Sequence, residues 1–205
     1  MKNILLPAVK LSNQLTFKSK FILVSLLCLT PLLFFFYVLI NQQLKVVDDA
    51  TYQHHASRFI VPLRGLTEHI AQTRGMTNVY LNGDKSIKDK IEKKRSQVEQ
   101  DFKSLTTIDN ELQALLNTKQ IPSVLSKRWH EITKGAFDGE ATIVFAQYTS
   151  LIADVLDFMD TVGREGKMLQ DDDSANSYLI NSLLHTIPSQ VEALGKLRGK
   201  GAGVL

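Results

Sequence analysis

The chain has 205 residues, with 24 Lys and Arg against 21 Asp and Glu, and its one cysteine is Cys28. Beyond the first forty residues there is room for one domain of ordinary size, since domains cluster near roughly 100 to 150 residues. A single cysteine excludes an intrachain disulfide, and a net charge of +3 with no basic patch beyond the N-terminal stub gives no footprint for nucleic acid.

Lys2, Lys10, Lys18 and Lys20 stand in residues 1–20 with no acid among them. The run FILVSLLCLTPLLFFFYVLI at 21–40 is uncharged and has the roughly 20 residues an α-helix needs to cross about 30 Å of hydrocarbon. It predicts a transmembrane helix. Pro31 in its middle predicts a kink, because membrane helices tolerate proline where neighbouring groups re-satisfy the freed carbonyl. The lysines put the N-terminal segment in the cytoplasm and residues 41–205 outside it. They also carry the overall charge, since the rest of the chain has 20 basic and 21 acidic residues. The apolar run is longer than the usual 7 to 15 residues of a signal peptide, and NQQLKVV after it lacks a small-residue cleavage site, so the expectation is an uncleaved anchor.

From there on, apolar residues recur at spacings of three and four, and no alternation persists over a strand's length, which predicts an all-α domain. Phe59, Leu63, Leu66, Ile70, Thr77 and Leu81 form the stripe of a first helix from about Leu44 to Leu81, continuing the span. Asn82-Gly83-Asp84 ends it with a glycine suited to the left-handed cap position. Ile87, Ile91, Val98, Leu105, Ile108, Leu112 and Leu115 mark a second helix running to about Asn117, with lysines and acids on its other side. Pro122 restarts the chain, and Val124, Leu125, Trp129 and Ile132 support a short third helix before a turn at Gly135 to Gly139. Val144, Tyr148, Leu151, Val155, Phe158, Val162 and Leu169 give a fourth. Asp171-Asp172-Asp173-Ser174 forms a capping turn before a fifth helix with the stripe Ile180, Leu184, Ile187, Val191 and Leu194. Short connections between amphipathic helices predict an antiparallel bundle.

Two arginines interrupt this pattern. Arg74 stands four residues past Ile70 and Arg198 four past Leu194, each where an apolar residue is due. A guanidinium facing a bundle interior is costly unless paired, and its planar fork suits carboxylates and oxyanions. Two readings stand open: an internal salt bridge to an acid such as Asp154, Asp157 or Glu192, or an external anionic ligand held by Arg74 and Arg198. The octets RGMTNVYL at 74–81 and RGKGAGVL at 198–205 share Arg-Gly and a leucine at the same distance, a weak internal repeat. His54, His55, His69, His130 and His185 have no common ligand spacing, and the Asp run lacks the glycine and distal glutamate of a calcium loop. The sequence therefore predicts no metal and no cofactor. Without a catalytic constellation or phosphate-binding loop, it also predicts no enzyme.

The opening LLPAVKLSNQLTFKSKFILVSLLCLTPLLFFFYVL resembles the start of bacterial transmembrane receptors, above all methyl-accepting chemotaxis proteins, with related sensor kinases and diguanylate cyclases. The stretch YTSLIADVLDFMDTVGREGKMLQDDDSANSYLINSLLHTIPSQVEALGKLRGKGAGVL resembles their extracytoplasmic sensor region, and QTRGMTNVYLNGD is similar to helical domains of the nitrate- and nitrite-sensing type. The resemblance implies a homodimer in the bacterial inner membrane, a periplasmic helical domain that senses a small ligand of oxyanion or carboxylate type, and helix displacement passed through the span. It implies that Arg74 and Arg198 meet the ligand. Cytoplasmic signalling proteins would be reached only through a part beyond Leu205, since no second span, HAMP-type linker, methylation helix or GGDEF motif follows. The alternatives are the sensor portion of a histidine kinase or diguanylate cyclase, and a membrane-anchored helical protein that only packs against a partner.

Overall fold

The computed structural model describes residues 16–169 and 174–201, and the described residues are helical apart from short turns. Lys2, Lys10, the Asp171 to Asp173 turn and residues 202–205 lie outside them. Among the described residues six α-helices follow in order: α1 Phe17–Leu81, α2 Lys88–Leu116, α3 Ile121–Gly135, α4 Ala141–Glu165, α5 Ser174–Asn181 and α6 Ile187–Gly201. A 3-10 turn, Lys85–Ile87, precedes α2, and a π-helical turn, Ser182–Thr186, joins α5 to α6. The chain divides into two compact units, Met1–Asp48 and Asp49–Leu205, and α1 runs through the division between them.

In the first unit α1 continues through Pro31. Thr30 folds its hydroxyl back onto the Leu26 carbonyl at 2.7 Å, and Asn41 donates to the Tyr37 carbonyl at 2.9 Å, so these polar side chains bond within the helix. Every large apolar side chain from Phe21 to Ile40 is exposed. This part of α1 is long and apolar enough to cross a membrane, and α4 passes the same test of length and composition. The two differ in where their apolar surface goes: α4 turns its stripe into a core, while the N-terminal run covers none of its own.

The second unit is built around that core. Phe59, Leu63, Leu66 and Ile70 of α1 meet Val98, Phe102, Leu105 and Leu112 of α2, Leu125, Trp129 and Ile132 of α3, and Val144, Tyr148, Leu151, Val155, Phe158 and Val162 of α4. Four of the five predicted stripes are thus the buried faces, with Val124 and Leu115 exposed at their edges. Phe59 and Phe158 meet edge to face, their ring centres 5.9 Å apart. Turn chemistry follows the sequence. Gly83 adopts φ 128, a region closed to side chains, just after α1 ends. Asp84 caps the 3-10 turn by accepting from both the amide and the hydroxyl of Ser86, which hold its carboxyl below the ordinary carboxylate value. Asn117 takes the left-handed conformation that closes α2, and Pro122 sits in the first turn of α3.

At the far end of α4 the chain turns back onto the start of the second unit's share of α1. Lys167, itself left-handed at φ 54, pairs with Asp49 at 2.7 Å, covers the Tyr52 ring at 4.3 Å and accepts from Gln53 on its carbonyl at 3.3 Å. Gly166 makes the approach possible, because a Cβ there would fall well inside contact distance of Ala56 and 2.8 Å from the Val162 carbonyl oxygen.

The fifth stripe is not the buried one. Leu184 is buried, but Ile187, Val191 and Leu194 are exposed, and Glu192 and Gly199 face inward instead. The π turn holds one residue more per turn than an α-helix needs, and Pro188 offers no N–H to the carbonyl four residues before it. After Leu184 the inward positions therefore run Pro188, Glu192, Gly195 and Gly199, one residue out of phase with the sequence expectation.

Candidate functional site

The last three turns of α1 bring polar side chains into the core: Thr73, Arg74, Thr77 and Asn78 are buried on the face that carries Phe59 to Ile70 lower down. Arg74 is 1% exposed and Glu192 9%. The Arg74 fork meets the Glu192 carboxylate twice, Nη1 to Oε1 at 2.5 Å and Nη2 to Oε2 at 3.1 Å. Nη1 also donates to the Thr149 hydroxyl at 3.0 Å, and the guanidinium carbon lies 4.8 Å from the centre of the Phe145 ring. Asn78 donates to the Gly199 carbonyl at 2.8 Å. The glycines of α6 allow this approach. A Cβ on Gly195 would stand 3.3 Å from Arg74 Nη2, and one on Gly199 would strike the Phe145 ring at 2.7 Å. Bidentate, buried and charge-assisted, this pair fixes α6 against α1 and α4.

Arg74 thus takes the internal partner, and Glu192 is one of the three acids the sequence offers. Arg198 is on the exposed side of α6, so the structure does not bring it to Arg74. The phase change at the π turn accounts for this, since extrapolating the Ile187–Leu194 stripe extends an outward face. It also removes the structural parallel between the two Arg-Gly octets: Gly75 has open space where a side chain would go, whereas Gly199 is packed against Phe145.

A second polar cluster lies one turn further along α1. Tyr148 of α4 is fully buried against Trp129, with ring centres 5.8 Å apart, while Trp129 donates its indole N–H to Glu99 at 2.6 Å. The Tyr148 hydroxyl lies between Arg95 and the fully buried Thr77, and hydrogen bonding from both favours its ionised form. Burial pushes the Tyr148 phenol above its ordinary value, and the Arg95 charge pulls partly against it. Arg95 uses Nη1 on Glu92 at 3.2 Å and lays its guanidinium 4.1 Å from the centre of the Phe137 ring. Its remaining edge, Nε with Nη2, is shielded from solvent on the side of the Tyr148 hydroxyl.

Arg95 was legible by the rule that picks out Arg74. It is four residues past Ile91 and three before Val98, on a buried stripe where an apolar residue is due, but it is hidden in the charged run EKKRS. Tyr148 reads as core from its spacing, and nothing local marks its hydroxyl. In an open groove at Arg128, Glu131, Thr142, Gln147 and Ser150 the arginine is met within the chain, since Arg128 donates to Ser150 at 2.9 Å and pairs with Asp154. Among the described residues no three His, Cys, Asp or Glu side chains converge as metal ligands would.

Comparison with known protein families, with curated proteins and with solved structures finds no match to this chain.

Proposed function

We propose that the chain is the membrane-anchored sensor part of a bacterial signalling receptor of chemoreceptor type, with residues 21–40 spanning the inner membrane and residues 41–205 forming a periplasmic antiparallel bundle. The observation that carries this reading is α1 itself: one helix supplies an uncharged, wholly exposed apolar run and then, further along, the buried arginine, threonine and asparagine of the domain core. The order of side-chain contacts supports the antiparallel arrangement. Arg58 pairs with Glu111 and His69 with Asp101, so α2 descends as α1 rises, and Phe59 meets Phe158 while Arg74 meets Thr149. Lys18 and Lys20 before the run support a cytoplasmic N-terminus. In this reading a small anionic ligand shifts α1 against its neighbours, and the shift passes through the span to a cytoplasmic output. Arg74 is the anion-binding candidate inside the domain, held by Glu192 in this state, while Arg198 reaches a ligand only from solvent.

Exposed apolar side chains of the π turn and α6 support the homodimer. Leu183, Ile187, Val191, Leu194 and Leu197 are between 48% and 70% exposed and recur at helical spacing, the pattern of a helix that packs on another. Alkaline phosphatase fused after Leu205 and a fluorescent protein fused before Met1 test the orientation. Phosphatase activity together with cytoplasmic fluorescence is expected, and an inactive phosphatase with normal expression would overturn the receptor topology.

A further inference from the structure

We propose that Asn82 is a site of spontaneous covalent modification: its side-chain amide converts to an acid through attack by the Gly83 backbone nitrogen, and the product loosens the end of α1 and its tie to α6.

The chemistry starts from one dipeptide, since Asn82 is the single asparagine in the sequence that is followed by glycine. The Gly83 nitrogen gives up its proton and bonds to Asn82 Cγ, closing a succinimide ring. The Cγ–Nδ2 bond breaks, and Nδ2 takes up a proton and leaves as ammonia. Water then opens the ring at either carbonyl, giving aspartate by one route and isoaspartate by the other. No oxidant or reductant enters the balance. A side chain on the following residue hinders ring closure, whereas glycine carries none and reaches backbone conformations closed to other residues.

The turn leaves this step room. Asn82 and Gly83 are both exposed, and nothing lies within 4 Å of where a Gly83 side chain would stand. Gly83 at φ 128 is far from helical geometry, so the chain has already left α1 at the attacking residue. Its nitrogen makes a long bond to the Tyr80 carbonyl, 3.2 Å, and the Asp84 nitrogen a longer one to Val79, 3.3 Å, while Asn82 keeps 3.0 Å to Asn78. Asn117 at the end of α2 is the contrast. It precedes Thr118, which is fully buried with its hydroxyl bonded to the buried Asp109.

What Asn82 does in the fold gives the conversion its effect. Its Nδ2 donates to the Asn78 carbonyl at 2.8 Å and to the Asn78 side-chain oxygen at 3.3 Å. Asn78 is buried and in turn donates to the Gly199 carbonyl of α6 at 2.8 Å. An ionised carboxylate at position 82 has no proton to donate, so it sets acceptor against acceptor at Asn78. Its charge also stands at the C-terminal end of α1, where the helix dipole disfavours an anion. Isoaspartate further adds a methylene to the backbone and displaces the turn.

The experiment is peptide-mapping mass spectrometry of the full chain held in detergent micelles at mildly alkaline pH, with isoaspartate read by enzymatic methyl labelling. Wild type should convert at Asn82 roughly tenfold faster than at Asn117 or Asn176, and Gly83→Ala should slow it by a similar factor. Asn82→Gln, which would need a larger ring, should remove the signal even if Gly83→Ala disturbs the turn. Asn82→Asp represents one product, and its thermal midpoint by circular dichroism should fall below that of Asn82→Ala, which removes the donor without adding charge. Asn82 left intact in the folded chain but converting in guanidinium would overturn the site. A midpoint for Asn82→Asp equal to wild type would overturn the effect on α1.

Discussion

Arg74 and Glu192 show how much a single buried pair decides. Replacing Arg74 with Met leaves the Glu192 carboxylate stranded at 9% exposure, and such uncompensated buried charges cost about 3–5 kcal/mol. We therefore expect a large drop in thermal midpoint by circular dichroism for Arg74→Met, and recovery of most of it in Arg74→Met combined with Glu192→Leu. A midpoint unchanged in the single variant would show that the pair is not formed in solution. Tyr148 makes the opposite kind of prediction. Its phenol is raised by burial, so the folded state keeps its proton where the unfolded chain has already lost it. The stability this gives is fully present below about pH 10 and is lost as pH rises from there through the raised folded value. Tyr148→Phe should flatten the alkaline fall in thermal midpoint while changing little at neutral pH. The position of Arg74 was readable from helical phase, and Arg95 would have yielded to the same counting. Glu192 stood among three candidate acids and could not be singled out, because it reaches Arg74 only through a turn whose geometry the residue spacing does not encode.

Helix by helix, apolar spacing carried most of the information. The stripes of α1 to α4 point inward as their three- and four-residue intervals require, and Gly83, Asn117 and Pro122 close or open helices where their backbone preferences place them. Such signals survive because each depends on a local conformation. The glycines separate into kinds that sequence alone does not distinguish. Gly166 is wedged against Ala56 and the Val162 carbonyl, so Gly166→Val should cost about 1–3 kcal/mol by overpacking and loosen the Lys167 clasp. Gly75 faces open space inside α1, so Gly75→Ala should stabilise by about 0.5–1 kcal/mol through helix propensity. Thermal midpoints moving in opposite directions check both substitutions. Equal losses would mean that Gly75 is packed against a neighbour in the folded protein.

Taken whole, the described residues leave two long apolar surfaces uncovered, the run at 21–40 and the outer face of α6, and each demands a different neighbour. The first has the length of a bilayer's hydrocarbon thickness. The second is shorter, is flanked by Lys196 and Arg198, and is the face that the proposed homodimer would use. Leu194→Asp should lower the dimer fraction in crosslinking of membranes at least threefold and leave helical content intact, whereas crosslinking unaffected by the change would place the dimer contact elsewhere. The sequence made both surfaces visible as apolar spacing but assigned the second to the interior, and the five-residue π turn is the reason. Each residue added to or taken from a helix rotates all later positions by about 100°. Inserting one residue into Ser182–Thr186 should thus swing Leu194 toward the core and Glu192 away from Arg74, exchanging an exposed face for an interior one. One surplus residue acts as a selector between two packings of the same helix, a point at which a short insertion or deletion would rewrite how the chain associates while leaving nearly every side chain unchanged.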